Sequence, residues 1–219
     1  YGDWSSDVCS SDLSDRLAST FGGQFVFFQP SATGGWGFGT TMPCYDALAM
    51  PGRDSLPSAL REDAILLALY DYWQTQRAGR PFPDRADISP HGIGPKLLPH
   101  VGLADLDPGN LAASRIRLVG TAIVDELGLD PTGKRVGDYA SGVYLEFKIA
   151  LAADMLRHRR PMLGVSAFRL HEDDRFLMVR RIYLPLTHGG SEPVMLLFGK
   201  TFHRPSDPAV LSQAIRLVL

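Results

Sequence analysis

The sequence predicts an α+β fold, a five-stranded antiparallel sheet with helices on one face and an N-terminal amphipathic helix flanking it. Three observations predict it. From Met162 to His203 the chain is strand-like almost throughout, with only short turn segments between the runs, and short links make neighbouring strands antiparallel. Arg115 to Arg135, RIRLVGTAIVDELGLDPTGKR, goes strand, break, short helix and irregular loop. That succession is the rim of a small pocket rather than a repeating βαβ unit. Ser58 to Arg77 repeats apolar residues at three- and four-residue steps, the pattern of a helix with one buried side.

The 219 residues suffice for one domain with flanking segments. A hydrophobic content of 45% and a charged content of 21% are those of a soluble globular protein. No apolar run reaches the roughly 18 residues a membrane-spanning helix needs. Asp3 to Leu13, DWSSDVCSSDL, matches the translation of a common sequencing adapter. Residues 1–13 are therefore expected to be an artefact that does not fold, with the natural start of the gene lost. The segment also lacks the charged-then-apolar pattern of a signal peptide. Without its three aspartates, 21 acids face 22 bases and the net charge moves from −2 to about +1. Neither value selects a nucleic-acid or membrane partner. Of the 2 cysteines, Cys9 belongs to the artefact and only Cys44 remains. That gives no disulfide framework and no cysteine metal cluster, and makes a cytoplasmic, reducing setting the expectation.

Residues 14–57 carry Gly22, Gly23, Gly34, Gly35, Gly37 and Gly39 with Pro30, Pro43, Pro51 and Pro57. So many breakers predict an irregular arm, or an arm that docks on a partner through Phe27, Phe28 and Trp36. Pro57-Ser58 is a helix start, with Glu62 and Asp63 in the early turns. Ile65, Leu66, Leu69, Tyr72, Trp73 and Gln76 form the stripe, and Gly79 and Pro81 end it. Pro81, Pro83 and Pro90 keep the next segment out of a helix. Val101 to Asp107 and Arg115 to Gly120 are the first two strands. After the second, Ile123, Val124 and Leu127 fall at helical spacing, Gly128 suits a left-handed C-cap, and Asp130 to Gly133 is turn chemistry. Val143 to Arg159 is a longer helix with a stripe at Leu145, Ile149, Ala152, Ala153 and Leu156. Pro161 stops it. Met162–His171, Arg175–Leu186 and Pro193–His203 are the remaining strands. Near-continuous apolar runs in the last two, Phe176 to Val179 and Val194 to Phe198, imply a sheet covered on both faces. Residues 207–219 read as a short amphipathic helix, expected to be truncated.

The motifs along this order are the Trp73 helix with Arg77 and Gly79; Pro83, Arg85, Ala86, Asp87, Ile88 and Pro90; Leu97-Leu98-Pro99; Arg117 to Thr121; and Gly128, Asp130, Thr132 and Gly133. Together they resemble the PAS domain, and within it a proteobacterial family of PAS-like proteins. The resemblance covers about Ser58 to Arg204 and sets the domain at residues 58–206. It implies a sensory or regulatory module acting in signal transduction, one that binds partner proteins or small molecules and relays through its flanking helices. It implies no particular ligand. PAS ligands lie between the sheet and the helical connection. There Ile123, Val124, Leu127, Tyr139, Phe147 and Leu151 either line a small apolar pocket or simply fill the core, since packed interiors leave few voids.

No cofactor or metal is expected. Covalent flavin photochemistry needs a cysteine, and none follows Cys44. A haem site needs a histidine on the long helix facing the sheet, and His158 lies in its basic final turn. Trp73, Arg77, Arg85 and Asp87 are read as interaction or structural positions, the last two as an ion pair. Partners expected are a protein, or a second copy paired through the 58–77 helix, and a small apolar ligand. The alternative from another class is a small α+β enzyme with an acid/base site near Asp87, His91 and His100. Against it, the sequence has no nucleophile elbow, no metal-ligand spacing and no phosphate-binding glycine loop, so the protein is expected not to be an enzyme.

Overall fold

A computed structural model of the chain describes residues 56–169, 176–204 and 216–218. The expected artefact at residues 1–13 and residues 14–55 of the arm lie outside that range. Helix α1 is Ser58–Arg61, α2 Ala64–Arg77, α3 Pro90–Ile93, α4 Thr121–Leu127, α5 Val136–Tyr139 and α6 Gly142–His158. The strands are β1 Val101–Asp105, β2 Arg115–Val119, β3 Met162–Arg169, β4 Phe176–Leu186, β5 Met195–His203 and β6 Arg216–Val218.

The expected single helix from Ser58 to Arg77 is two helices broken at Glu62-Asp63. Asp63 takes an extended conformation and its carboxylate accepts from the Leu66 amide at 3.1 Å. A carboxylate there satisfies an amide that the first turn of a helix leaves without an intrahelical partner. The same carboxylate accepts from Thr201 Oγ1 and lies 3.3 Å from His203 Nε2, both on β5. Three partners for one side chain outweigh one more turn of helix. Gly128 caps α4 as its position suggests, with φ +67°.

The strands form one sheet in the order β2-β1-β5-β4-β3-β6, and every neighbouring pair is antiparallel. The five expected strands are all present in that sheet. Residues 216–218, expected as helix, instead pair with Met162–Gly164 of β3. Without them β3 would be the edge, with its outer amides and carbonyls open. Pairing those groups prevails over a local helical period. Residues 205–215 lie outside the described range.

Alternation along the strands divides the core in two. On one face Leu103, Leu163, Ile182, Leu184 and Leu197 pack under α1 and α2, against Leu60, Leu66, Leu69 and Trp73. On the other Ala104, Met162, Tyr183, Leu196 and Phe198 pack under α4 to α6, against Ile123, Leu151 and Met155. Both faces are covered, as the apolar runs in β4 and β5 require. Trp73 is anchored twice, by its buried ring and by Nε1 donating to the Pro185 carbonyl at 2.9 Å.

Of the stripe expected on helix α6, only Ala152 is fully buried. Lys148, Leu151, Ala152 and Met155 are buried, while Leu145, Ile149, Ala153 and Leu156 are half-buried beside them. The helix is rotated so that Leu151 and Met155, four residues apart, meet the sheet. That rotation carries Lys148 inward.

Candidate functional site

Three cations are buried between α6 and the sheet. Arg181 of β4 has no exposed surface, Lys200 of β5 is 3% exposed and Lys148 of α6 is 5% exposed. Register explains two of them. Arg181 is the Cα partner of Lys200 across β4 and β5, so both side chains project to the α6 face. Helical spacing brings the third, with Tyr144, Lys148 and Ala152 one turn apart.

Their partners are neutral. Lys148 Nζ donates to Tyr139 Oη and lies 4.3 Å from the Tyr139 ring centre and 4.9 Å from that of Tyr144. Lys200 Nζ donates to Tyr144 Oη at 3.4 Å. Arg181 Nη2 donates to Ser166 Oγ at 2.5 Å, and the guanidinium lies over the Phe147 ring at 4.7 Å. Aromatic faces stabilise a desolvated cation. Arg181 Nε and Nη1 have no hydrogen-bond partner among the described residues. None of the three cations makes a salt bridge to a described carboxylate.

The electrostatic consequences follow. Burial, then the neighbouring Lys200 and Arg181, holds the Lys148 ammonium well below the ordinary lysine value. Burial likewise lowers Lys200, and Arg181 adds to the effect although Tyr144 opposes it. Burial pushes the phenols of Tyr139 and Tyr183 up. Tyr144 goes the other way: burial would raise it, but Lys200 and Arg181 outweigh burial and lower it.

Beside this cluster is a cavity of about 30 Å³. Lys148, Lys200 and Tyr139 stand in its wall, and Ile116, Ile149 and Leu196 supply apolar surface. Of the residues expected to line a pocket, Tyr139 does so. Phe147 sits next to it under Arg181. Ile123 and Leu151 are fully buried core, and Val124 and Leu127 are half-buried on α4. None of these last four lines this cavity. The cavity wall is largely apolar, with Leu106, Leu111, Ile116, Ile149, Leu196 and Phe198 in it, and two lysines that the sequence did not single out stand among them. A lysine inside a helix stripe and an arginine in a strand covered on both faces were the signals for the buried cations.

The other singled-out residues have structural partners. Arg77 lies 5.4 Å from the Trp73 ring centre and donates to the Arg80 carbonyl. Asp87 pairs with Arg80 at 2.7 Å rather than with Arg85, because its carboxylate is turned back to accept from the Asp84 amide in a capping box. Arg85 donates to the Ile88 carbonyl and its amide bonds to Thr187, next to β4. Arg85 also borders a wide open groove with Leu103, Arg117, Leu118 and Val194. His91 is exposed on α3, and His100 Nδ1 donates to the Lys200 carbonyl at 3.2 Å. Asp87, His91 and His100 line neither the cavity nor the groove. Among the described residues there is no cluster of three metal-ligating side chains, and no helix is long and apolar enough to cross a membrane.

An antiparallel sheet whose helical connection closes over a small cavity places the chain among small α+β domains. A family model described as a PAS domain matches residues 61–199, well over half of the chain. The chain belongs to the PAS-domain family, whose members are sensory and regulatory modules of signal transduction. No curated protein and no solved structure matches it.

Proposed function

We propose that the domain senses a small molecule in the Tyr139–Lys148–Lys200 cavity and relays its presence through β5 to the start of α2. One observation carries the reading. Lys200 stands in the cavity wall, and the next residue, Thr201, points to the opposite face and donates to the Asp63 carboxylate that caps α2. A ligand that moves Lys200 therefore pulls on the cap of the flanking helix.

Native mass spectrometry tests the reading. Wild type and Ala152→Leu, which fills the cavity, are exposed to the small-molecule fraction of a cell lysate. The expected result is a bound small molecule on wild type, absent from the variant, with slower hydrogen exchange at the Leu66 amide when it is bound. Ligand-free spectra from both proteins overturn it.

The output partner is a second copy or another protein docked on the 58–77 segment, chiefly on helix α2. The inner side of that helix is occupied by its own sheet, so docking uses the outer side, which carries Ala64, Asp71 and Thr75. Light scattering that finds only monomer at high concentration removes the self-pairing form.

A further inference from the structure

We infer that the open groove bordered by Arg85, Leu118 and Val194 docks an acidic segment of another protein, one that carries an apolar side chain next to a carboxylate. The groove lies on the α2 face of the sheet, opposite the Lys148 cavity. It is a second surface, separate from the outer side of α2.

Exposure singles the groove out. It encloses about 440 Å³ and crosses β2, β1 and the start of β5. Leu103 is the Cα partner of Leu118, and Asp105 that of Met195. Leu103 and Met195 are buried and make its floor. Leu118 and Val194 stand above that floor, 43% and 38% exposed. Among the described residues the exposed large apolar side chains are these two and Leu129. Two of them over one apolar floor form a patch, and apolar patches with a polar rim mark interaction sites.

Charge defines what fits. Arg85, Arg117 and His188 line the groove against a single carboxylate, Asp105, which pairs with Arg117 at 2.5 Å. Arg85 makes no salt bridge to a described carboxylate. Its neighbour Asp84 is engaged elsewhere, accepting from the Ala86 amide, the Thr187 hydroxyl and the Gly189 amide. The Arg85 side chain is already held, with Nη1 donating to the Ile88 carbonyl at 2.8 Å, and its amide donates to the Thr187 carbonyl at 2.8 Å. An arginine fixed in advance beside apolar surface takes up a carboxylate with little loss of side-chain freedom.

The same features decide between occupants. In a symmetric pair of identical chains this patch would meet itself. Arg85 and Arg117 would then approach their own copies, and like charges brought together oppose association. An acidic partner meets the opposite charge. Small molecules favour sites that bury roughly 70–90% of their surface, which an open groove across three strands does not do. A peptide segment can lie along it.

The test is selection from a display library of random octapeptides on the immobilised full chain, with light scattering of the free chain alongside. The expected result is enrichment of peptides that place aspartate or glutamate beside leucine, isoleucine or phenylalanine. Leu118→Ser is expected to weaken the enriched peptides about tenfold or more, the worth of one buried leucine. Arg85→Glu is expected to reverse the preference and enrich lysine or arginine beside the same apolar residues. A variant that had lost its fold could not give that reversal. Val194→Ser and His188→Glu repeat the two tests at exposed positions, and melting curves verify that each variant folds. A library without enrichment, enrichment indifferent to charge, or peptides that bind all four variants as they bind wild type overturn the inference. So does a dimer in light scattering that Leu118→Ser dissolves, because a second copy would then be the occupant.

Discussion

Arg181 and Lys200 face each other directly across β4 and β5, on the side covered by α6, and neither reaches solvent. Two like charges in that position weaken the ladder they belong to. The sheet tolerates them because Tyr144, Ser166 and Phe147 close around them, and because Lys148 and Lys200 titrate more easily than exposed lysines.

Stability accordingly depends on alkaline pH. Burial and neighbouring cations put the folded values of Lys148 and Lys200 below the unfolded lysine value of about 10.4. Between folded and unfolded values the unfolded chain binds more protons, so stability rises with pH and is lost as pH falls through the folded values. Urea unfolding from about pH 7 to 9.5 reads this, because above about 10 the raised Tyr139 and Tyr183 act in the opposite direction. The Lys148→Met/Lys200→Met double variant is expected to have a flatter profile and a higher melting temperature. Identical profiles for variant and wild type count against the described electrostatics.

Asp63 gives a dependence of opposite range. Burial would raise its carboxyl, but hydrogen bonds from His203, Thr201 and the Leu66 amide outweigh burial and hold it below the ordinary value. Its contribution is fully present above the unfolded value of about 3.9 and is lost as pH falls through the folded value. Asp63→Asn is expected to remove that part of the acid dependence. The measurement is the urea midpoint at pH 6, 4 and 3, and an unchanged slope in Asp63→Asn refutes it.

Trp73→Ala is expected to cost about 3–5 kcal/mol, the range for emptying a large buried aromatic site. Trp73→Phe keeps most of the packing and leaves the Pro185 carbonyl without its donor, a loss of about 1 kcal/mol or somewhat more. Chemical denaturation separates the two. A Trp73→Ala loss under about 1 kcal/mol would put the ring outside the core.

Gly102 and Phe198 are cross-strand partners. A Cβ at Gly102 would stand 2.1 Å from the Phe198 ring, so the ring occupies the space a side chain would need. Gly102→Ala is expected to destabilise by about 1–3 kcal/mol. Adding Phe198→Leu should recover part of the loss, a coupling that a double-mutant cycle measures. Strict additivity would show that the two do not share the space.

The strands were legible because each is bounded by turn residues and because the apolar runs of β4 and β5 demand cover on both sides. The break at Asp63 was not, because the partners that decide it, Thr201 and His203, are some 140 residues away. The β6 pairing was hidden for the same reason: an amphipathic period is local, while an open sheet edge is not. In the site, Tyr139 could be placed from the order of elements. Lys148 could not, since the rotation of α6 is set by Leu151 and Met155 meeting the sheet. A single charge within an apolar helix reads as solvent-facing until that rotation is fixed.

The alternation of Lys200 and Thr201 along β5 bears on how such a domain can change over generations. One residue inserted after Gly199 would turn the lysine toward α2 and another side chain into the cavity, because a slip of one exchanges the two faces of a strand. The cavity and the helix cap would be lost in the same event. Changes to the cavity wall in this lineage should therefore arise by substitution within β5, whose length is held fixed by contacts on both of its faces. Insertions belong in the turns at its ends.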